Sequence, residues 1–78
     1  LVRTRSAEIR IGAAAAVLGV SPPVVRGCGA RGGDPASSSH LEHATLILLT
    51  KAGQGRAIDD VILHYVGIID ERARATED

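Results

Sequence analysis

The sequence lacks tryptophan, phenylalanine and methionine, and it has one tyrosine. Any core must therefore be built from Leu, Ile, Val and Ala, which bury less apolar area per side chain than aromatic residues do. A chain of 78 residues forms one domain at most and buries a modest fraction of its surface. Oligomerisation is one way in which such a chain completes its core.

Cysteine and long apolar runs are also scarce. Cys28 is the single cysteine, which excludes an intrachain disulfide and favours a reducing, cytoplasmic location. No apolar run is long enough to span a bilayer, so no membrane partner is expected. The run 11–20 is similar to the core of a signal peptide, but Glu8 and Arg10 precede it and no clear cleavage pattern follows. A secretory signal is therefore the less favoured interpretation.

Charge is balanced overall but not along the chain. Residues 1–39 carry five arginines against two carboxylates, a net charge of +3, and residues 40–78 carry four cations against seven carboxylates, a net charge of −3. Such asymmetry favours a first half that faces a polyanion, although a charged run is more often a solvated surface.

Three segments are visible, and together they predict an all-α single domain, 1–78, of about four helices. Residues 1–28 are basic and then alanine-rich, a composition that favours helix. Residues 29–38 contain Gly, Pro and Ser and are typical of a loop. Residues 39–75 have helical apolar spacing and predict a helical hairpin.

The first helix of the hairpin has start and stop signals. Ser39 followed by Glu42 three residues later matches a capping box. Gly53 fits the stop, with Lys51 in the last turn beside the negative end of the helix dipole. The apolar side of this helix is predicted to comprise Leu41, Ala44, Thr45, Leu48 and Leu49.

The last helix is predicted from about residue 56 to about residue 75. Its apolar residues recur at spacings of three and four: Ile58, Ile62, Tyr65, Val66, Ile69 and Ala73. The opposite side is predicted to hold Asp59, Asp60, Gly67, Asp70, Glu71 and Arg74. Val61 and Ile68 widen the apolar stripe beyond what one partner helix covers. Either the first helices cover this excess or a second subunit does; we expect a homodimer through the C-terminal helices.

The stretch "RIGAAAAVLGVSPPVVRG", residues 10–27, predicts a helix, a tight turn and a second helix. Gly19 permits a left-handed turn after the alanine-rich helix. Ser21 can cap a second helix whose first turn holds Pro22 and Pro23, where proline is tolerated because those N–H groups have no intrahelical partner. The small or apolar residues expected in the core of this corner are Ala15, Leu18, Val20, Val25 and Cys28.

This stretch resembles the helix-turn-helix of the MerR-type and phage excisionase-type DNA-binding proteins, in which a segment like "IGxAAxxLGVSxxxVR" is typical. The resemblance covers 10–26 and is carried by Ile11, Gly12, Ala14, Ala15, Leu18, Gly19, Val20, Ser21, Val25 and Arg26. It implies that the second helix enters the major groove of double-stranded DNA, with Ser21, Pro22, Pro23 and Arg26 on the DNA-facing side. Arg26 would contact guanine or phosphate, or it is a solvated surface arginine. Backbone contacts are implied for the other arginines of the basic half, although solvated surface positions are the favoured interpretation for them: Arg3, Arg5, Arg10 and Arg31.

Side chains that bind metals give no supported site. His40 and His43 lie one turn apart and could share a metal with His64 or Cys28, but the spacing matches neither HExxH nor HxxEH, and CxxC is absent. Two exposed histidines at a helix start are expected instead. Cys28 is interpreted as a small core residue, with a redox-sensing thiol near Arg26 as the alternative. We therefore expect no cofactor and no catalysis.

The functional hypothesis is a small DNA-binding transcriptional regulator or excisionase-like protein. The alternative is a helical protein-interaction module, such as an adaptor or an antitoxin-like subunit, that does not bind DNA. A small helical enzyme is the third class.

Overall fold

The structure is a computed structural model that describes the backbone of residues 2–29, 34–53 and 59–77. The described residues form four α-helices: α1 (Val2–Leu18), α2 (Pro22–Gly27), α3 (Ser38–Lys51) and α4 (Asp59–Glu77). The prediction of an all-α fold of about four helices is confirmed. None of these helices has both the length and the apolar composition needed to cross a membrane.

Helix α3 begins earlier than the sequence predicts, and the assignment of Ser39 as its cap is wrong. The cap is Ser37, whose Oγ accepts a hydrogen bond from the backbone N–H of His40 across 3.2 Å. A turn at Asp34 prepares this position, because the N–H of Ser37 donates to the Asp34 carbonyl and the N–H of Ala36 donates to the Asp34 side chain, both at 2.9 Å. Ser39 therefore lies inside the first turn of α3, where its side chain is exposed.

The predicted end of α3 is confirmed. Lys51 is the last helical residue and Gly53 follows with φ +74°, a left-handed conformation that glycine adopts without steric cost. Helix α4 begins at Asp59; the earlier start predicted near Arg56 and the stripe residue Ile58 lie outside the described residues.

The core lies where α4 crosses α1. Helix α4 packs most extensively against α1 and also contacts α3. Alanines of α1 allow this close approach, because a methyl side chain keeps the two helix backbones near each other. The main buried cluster comprises Ile11, Ala13, Ala14, Ala15, Val25, Ala36, Leu41, Ile69 and Ala73.

The apolar spacing of α4 predicts the burial of most of its described residues correctly. Val66, Ile69 and Ala73 are buried, and Ile62 and Tyr65 are half-buried. Asp70 was expected on the opposite, solvated side, but it is half-buried and pairs with Arg10 of α1. Val61, Leu63 and Ile68 remain exposed, at 36%, 57% and 38% of their full area.

Candidate nucleic-acid interface

The turn between α1 and α2 is a Schellman motif at Gly19. Gly19 has φ +73°, and the N–H of Val20 donates back to the carbonyl of Ala15 across 2.9 Å. This 6→1 hydrogen bond closes the end of α1 and turns the chain sharply. Val20 then packs against the core cluster, which fixes the direction in which α2 leaves the turn. The predicted helix, tight turn and helix are therefore present.

Helix α2 begins with two prolines, as the sequence predicts. Pro22 and Pro23 occupy its first two positions, and Ser21 precedes them in an extended conformation. The Ser21 side chain, however, makes no capping hydrogen bond. The prolines have no N–H to donate, and the first available N–H, that of Val24, donates to the Ser21 carbonyl across 3.0 Å. The predicted side-chain cap is thus replaced by a backbone bond.

The two sides of α2 are clearly different. Val25 is fully buried against α1, which anchors the helix. The residues implied by the resemblance as facing DNA are all exposed: Ser21, Pro22, Pro23 and Arg26. At six residues, α2 has fewer than two turns. It therefore presents a small surface whose outline is set by two rigid pyrrolidine rings and one arginine.

Arg26 is paired with a carboxylate that the sequence analysis did not connect with it. Its Nη2 lies 2.5 Å from Oε2 of Glu8, which precedes it by 18 residues on α1. Both side chains are substantially exposed, at 41% for Arg26 and 60% for Glu8. No local pattern marks this pair, because the tight turn at Gly19 is what brings α2 back beside α1.

Arg10 has a structural role that differs from the one implied for it. Its Nη2 lies 2.8 Å from Oδ1 of Asp70 on α4, and its Nη1 donates to the carbonyl of Ala36 across 2.5 Å. The guanidinium thus joins α1, the turn before α3, and α4. Arg31 and the side chains of Arg3 and Arg5 lie outside the described residues.

His40 is buried, so the expectation of two exposed histidines is wrong for this residue and correct for His43. Its Nε2 contacts the Val25 carbonyl at 2.8 Å; since a carbonyl only accepts, Nε2 carries the proton. Its Nδ1 is buried, and none of the residues that the structure describes forms a hydrogen bond with it. The ring packs against Gly29, where an added Cβ would overlap it. The helical period could have predicted the burial of His40, because residues four apart share one side of a helix and His40 lies four residues before the buried Ala44. His43 does not lie on that side.

Cys28 is a half-buried free thiol directly after α2. Its N–H donates to the carbonyls of Val24 and Val25, at 3.1 and 3.3 Å, so its backbone closes the helix. Among the described residues, no group of three or more His, Cys, Asp or Glu side chains is arranged to hold a metal ion.

A groove of about 440 Å³ separates α3 from α4 on another part of the surface. Its apolar lining is Leu46, Ile62 and Leu63, and the carboxylates of Glu42 and Asp59 also line it. Carboxylates at this position repel DNA phosphates. The groove therefore differs in charge from the surface of α2, which carries Arg26.

Comparisons of this chain with protein-family models, curated proteins and solved structures give no match.

Proposed function

We propose that this domain binds double-stranded DNA through the exposed side of α2 and acts as a small transcriptional regulator or excisionase-like protein without catalysis. The observation that supports this proposal is the division of α2 into an anchored side and a solvent side. Val25 is buried in the core, while Ser21, Pro22, Pro23 and Arg26 are exposed together. A second helix that is held in this way can enter a major groove without moving the rest of the fold.

The proposed contacts have different functions. Arg26 has donors suited to the O6 and N7 acceptors of guanine. Pro22 and Pro23 stiffen the start of the helix, so its position relative to the groove is reproducible. Arg10 supports the surface indirectly through its bonds to Ala36 and Asp70.

Fluorescence anisotropy tests the proposal, with wild type and Arg26→Ala measured on duplexes enriched from a random pool and on mixed-sequence duplexes. Wild-type affinity should fall steeply between about 50 and 200 mM salt, because neutralised phosphates release counterions. Arg26→Ala should weaken binding to the enriched duplex by about 1–3 kcal/mol if the arginine contacts a base edge. If the arginine contacts phosphate only, binding to all duplexes should weaken alike. The slope of log affinity against log salt should then fall by about one unit. Absence of salt-sensitive binding to any duplex by the wild type contradicts the proposal.

A second candidate, a helical interaction module that forms a homodimer, is supported by the exposed apolar residues of α4. Val61 and Ile68 are seven residues apart, two turns along the same side of the helix, and the half-buried Tyr65 lies between them. A second copy of α4 would cover this stripe and extend a core that lacks large aromatic residues.

Sedimentation equilibrium at micromolar concentration tests the homodimer. The wild type should show twice the monomer mass, and Ile68→Glu should show the monomer mass with an unchanged helical spectrum. Ala16→Glu is the matched control, because Ala16 is exposed on α1 and gains the same carboxylate away from α4. A wild type that stays monomeric removes this candidate.

A further inference from the structure

The acidic residue Glu8 is isolated in a basic part of the chain. It is the sole carboxylate among residues 1–29, a segment that carries four arginines: Arg3, Arg5, Arg10 and Arg26. The fold places the Glu8 carboxylate beside Arg26, the one arginine of α2, with 2.5 Å between Oε2 and Nη2. The positive charge at the centre of the proposed DNA surface is therefore neutralised by its neighbour in the free protein.

The exposure of the pair indicates what it does. Exposed ion pairs add little to the free energy of unfolding, because water screens them and two long side chains lose freedom. With 60% of Glu8 and 41% of Arg26 exposed, the pair has a small effect on stability. Its larger effect is on the charge that α2 presents to an approaching polyanion.

We infer that Glu8 withholds Arg26 from DNA phosphates and thereby suppresses sequence-independent binding; this inference rests on the proposed DNA-binding function. A phosphate that binds the other donors of Arg26 comes to lie beside the Glu8 carboxylate, which has a charge of the same sign, so the contact gains little. A guanine edge is different, because its O6 and N7 are neutral acceptors. Arginine has five N–H donors, and Glu8 occupies Nη2, so the other donors can reach a base edge while the pair stays intact. Glu8 is thus a specificity-determining residue that acts through Arg26.

The test measures binding to a mixed-sequence duplex across a salt series for wild type, Glu8→Gln, Arg26→Gln and the double variant. Glu8→Gln frees a cation for phosphate contact, so the slope of log affinity against log salt should steepen by about 0.9. Affinity at low salt should rise about twofold to fivefold, the range that an exposed charge pair supports. The double variant should return to the wild-type slope, and Arg26→Gln alone should leave that slope nearly unchanged.

Glu71→Gln is the matched control, because it removes the same charge from an exposed position on α4. It should leave the slope unchanged, because Glu8, and not Glu71, is the carboxylate that pairs with Arg26. Equal gains from Glu8→Gln and Glu71→Gln indicate an effect of net charge alone and overturn the inference. The inference is overturned, while DNA binding is left in place, by either of two results. One is a Glu8→Gln slope and affinity equal to those of the wild type; the other is an Arg26→Gln slope lower by about one unit. If neither wild type nor Glu8→Gln binds any duplex, the inference and the proposed function fall together.

Discussion

His40 joins α3 to α2 through a single hydrogen bond, from its Nε2 to the backbone carbonyl of Val25, 15 residues earlier in the chain. The Val25 side chain is fully buried against α1, and the His40 ring is 4% exposed. The end of α2 is therefore held on two sides, by apolar packing on α1 and by an imidazole from α3. The position of the proposed DNA-binding helix depends on both contacts.

Replacement of His40 by alanine should lower the free energy of unfolding by about 2–3 kcal/mol. The change removes a buried ring, which leaves a cavity, and it removes the hydrogen bond to Val25. Urea denaturation monitored by circular dichroism measures the loss. His43→Ala is the control on the same helix. Because His43 is exposed, this variant should change the free energy of unfolding by no more than about 0.5 kcal/mol. Equal midpoints for the two variants would show that His40 does not hold α2.

Gly29→Ala should be destabilising by more than about 1 kcal/mol. Gly29 has φ +145°, and the added Cβ would overlap the His40 ring. Gly27→Ala is the matched control, because Gly27 is the last residue of α2 and a Cβ there meets open space. That second change should be neutral or stabilising by up to about 1 kcal/mol, since alanine favours helix. Thermal melts of both variants give the comparison, and a reversed order contradicts it.

Ser37→Ala should cost about 1 kcal/mol, the usual loss for a helix cap. The Ser37 hydroxyl accepts the N–H of His40, so alanine leaves that donor without its partner. Ser39→Ala should have little effect, because Ser39 lies inside the exposed first turn of α3. Denaturant midpoints of the two variants distinguish them. A larger loss for Ser39→Ala would place the start of the helix where the capping-box pattern predicts it.

Arg10→Ala should lower the free energy of unfolding by about 1–3 kcal/mol, as expected when a hydrogen-bonded charged group is lost. The loss arises because Asp70 and the Ala36 carbonyl both lose their partner. Arg26→Ala offers the comparison, because its ion pair is more exposed and should be worth less than about 1 kcal/mol. Urea titrations of both variants rank the two arginines, and similar losses contradict the joining role of Arg10.

The features that sequence patterns predicted correctly are local ones. The stop at Gly53, the turn at Gly19 and the prolines at the start of α2 each depend on a few adjacent residues, so the pattern contains the cause. The cap of α3 is a borderline case. Three consecutive serines, 37–39, all suit that position, and the turn at Asp34 decides among them.

The long-range contacts do not follow from local sequence patterns. Arg10 pairs with Asp70 sixty residues later, and Arg26 pairs with Glu8. Neither pair follows from helical period or motif spacing, because each depends on how two helices cross. Arg10 and Arg26 had the same status as basic residues in the sequence, and the fold gives one a structural role and leaves the other exposed on α2.

The dependence of α1 on α4 affects how the chain reaches its fold during synthesis. Helices α1 and α2 leave the ribosome before α4, because Ile69 and Asp70, which cover α1 and bond Arg10, follow α2 by some forty residues. Until then the alanine-rich side of α1 has no apolar partner from α4. The nascent chain therefore exposes this surface of α1 to chaperones or to neighbouring chains until translation has passed α4.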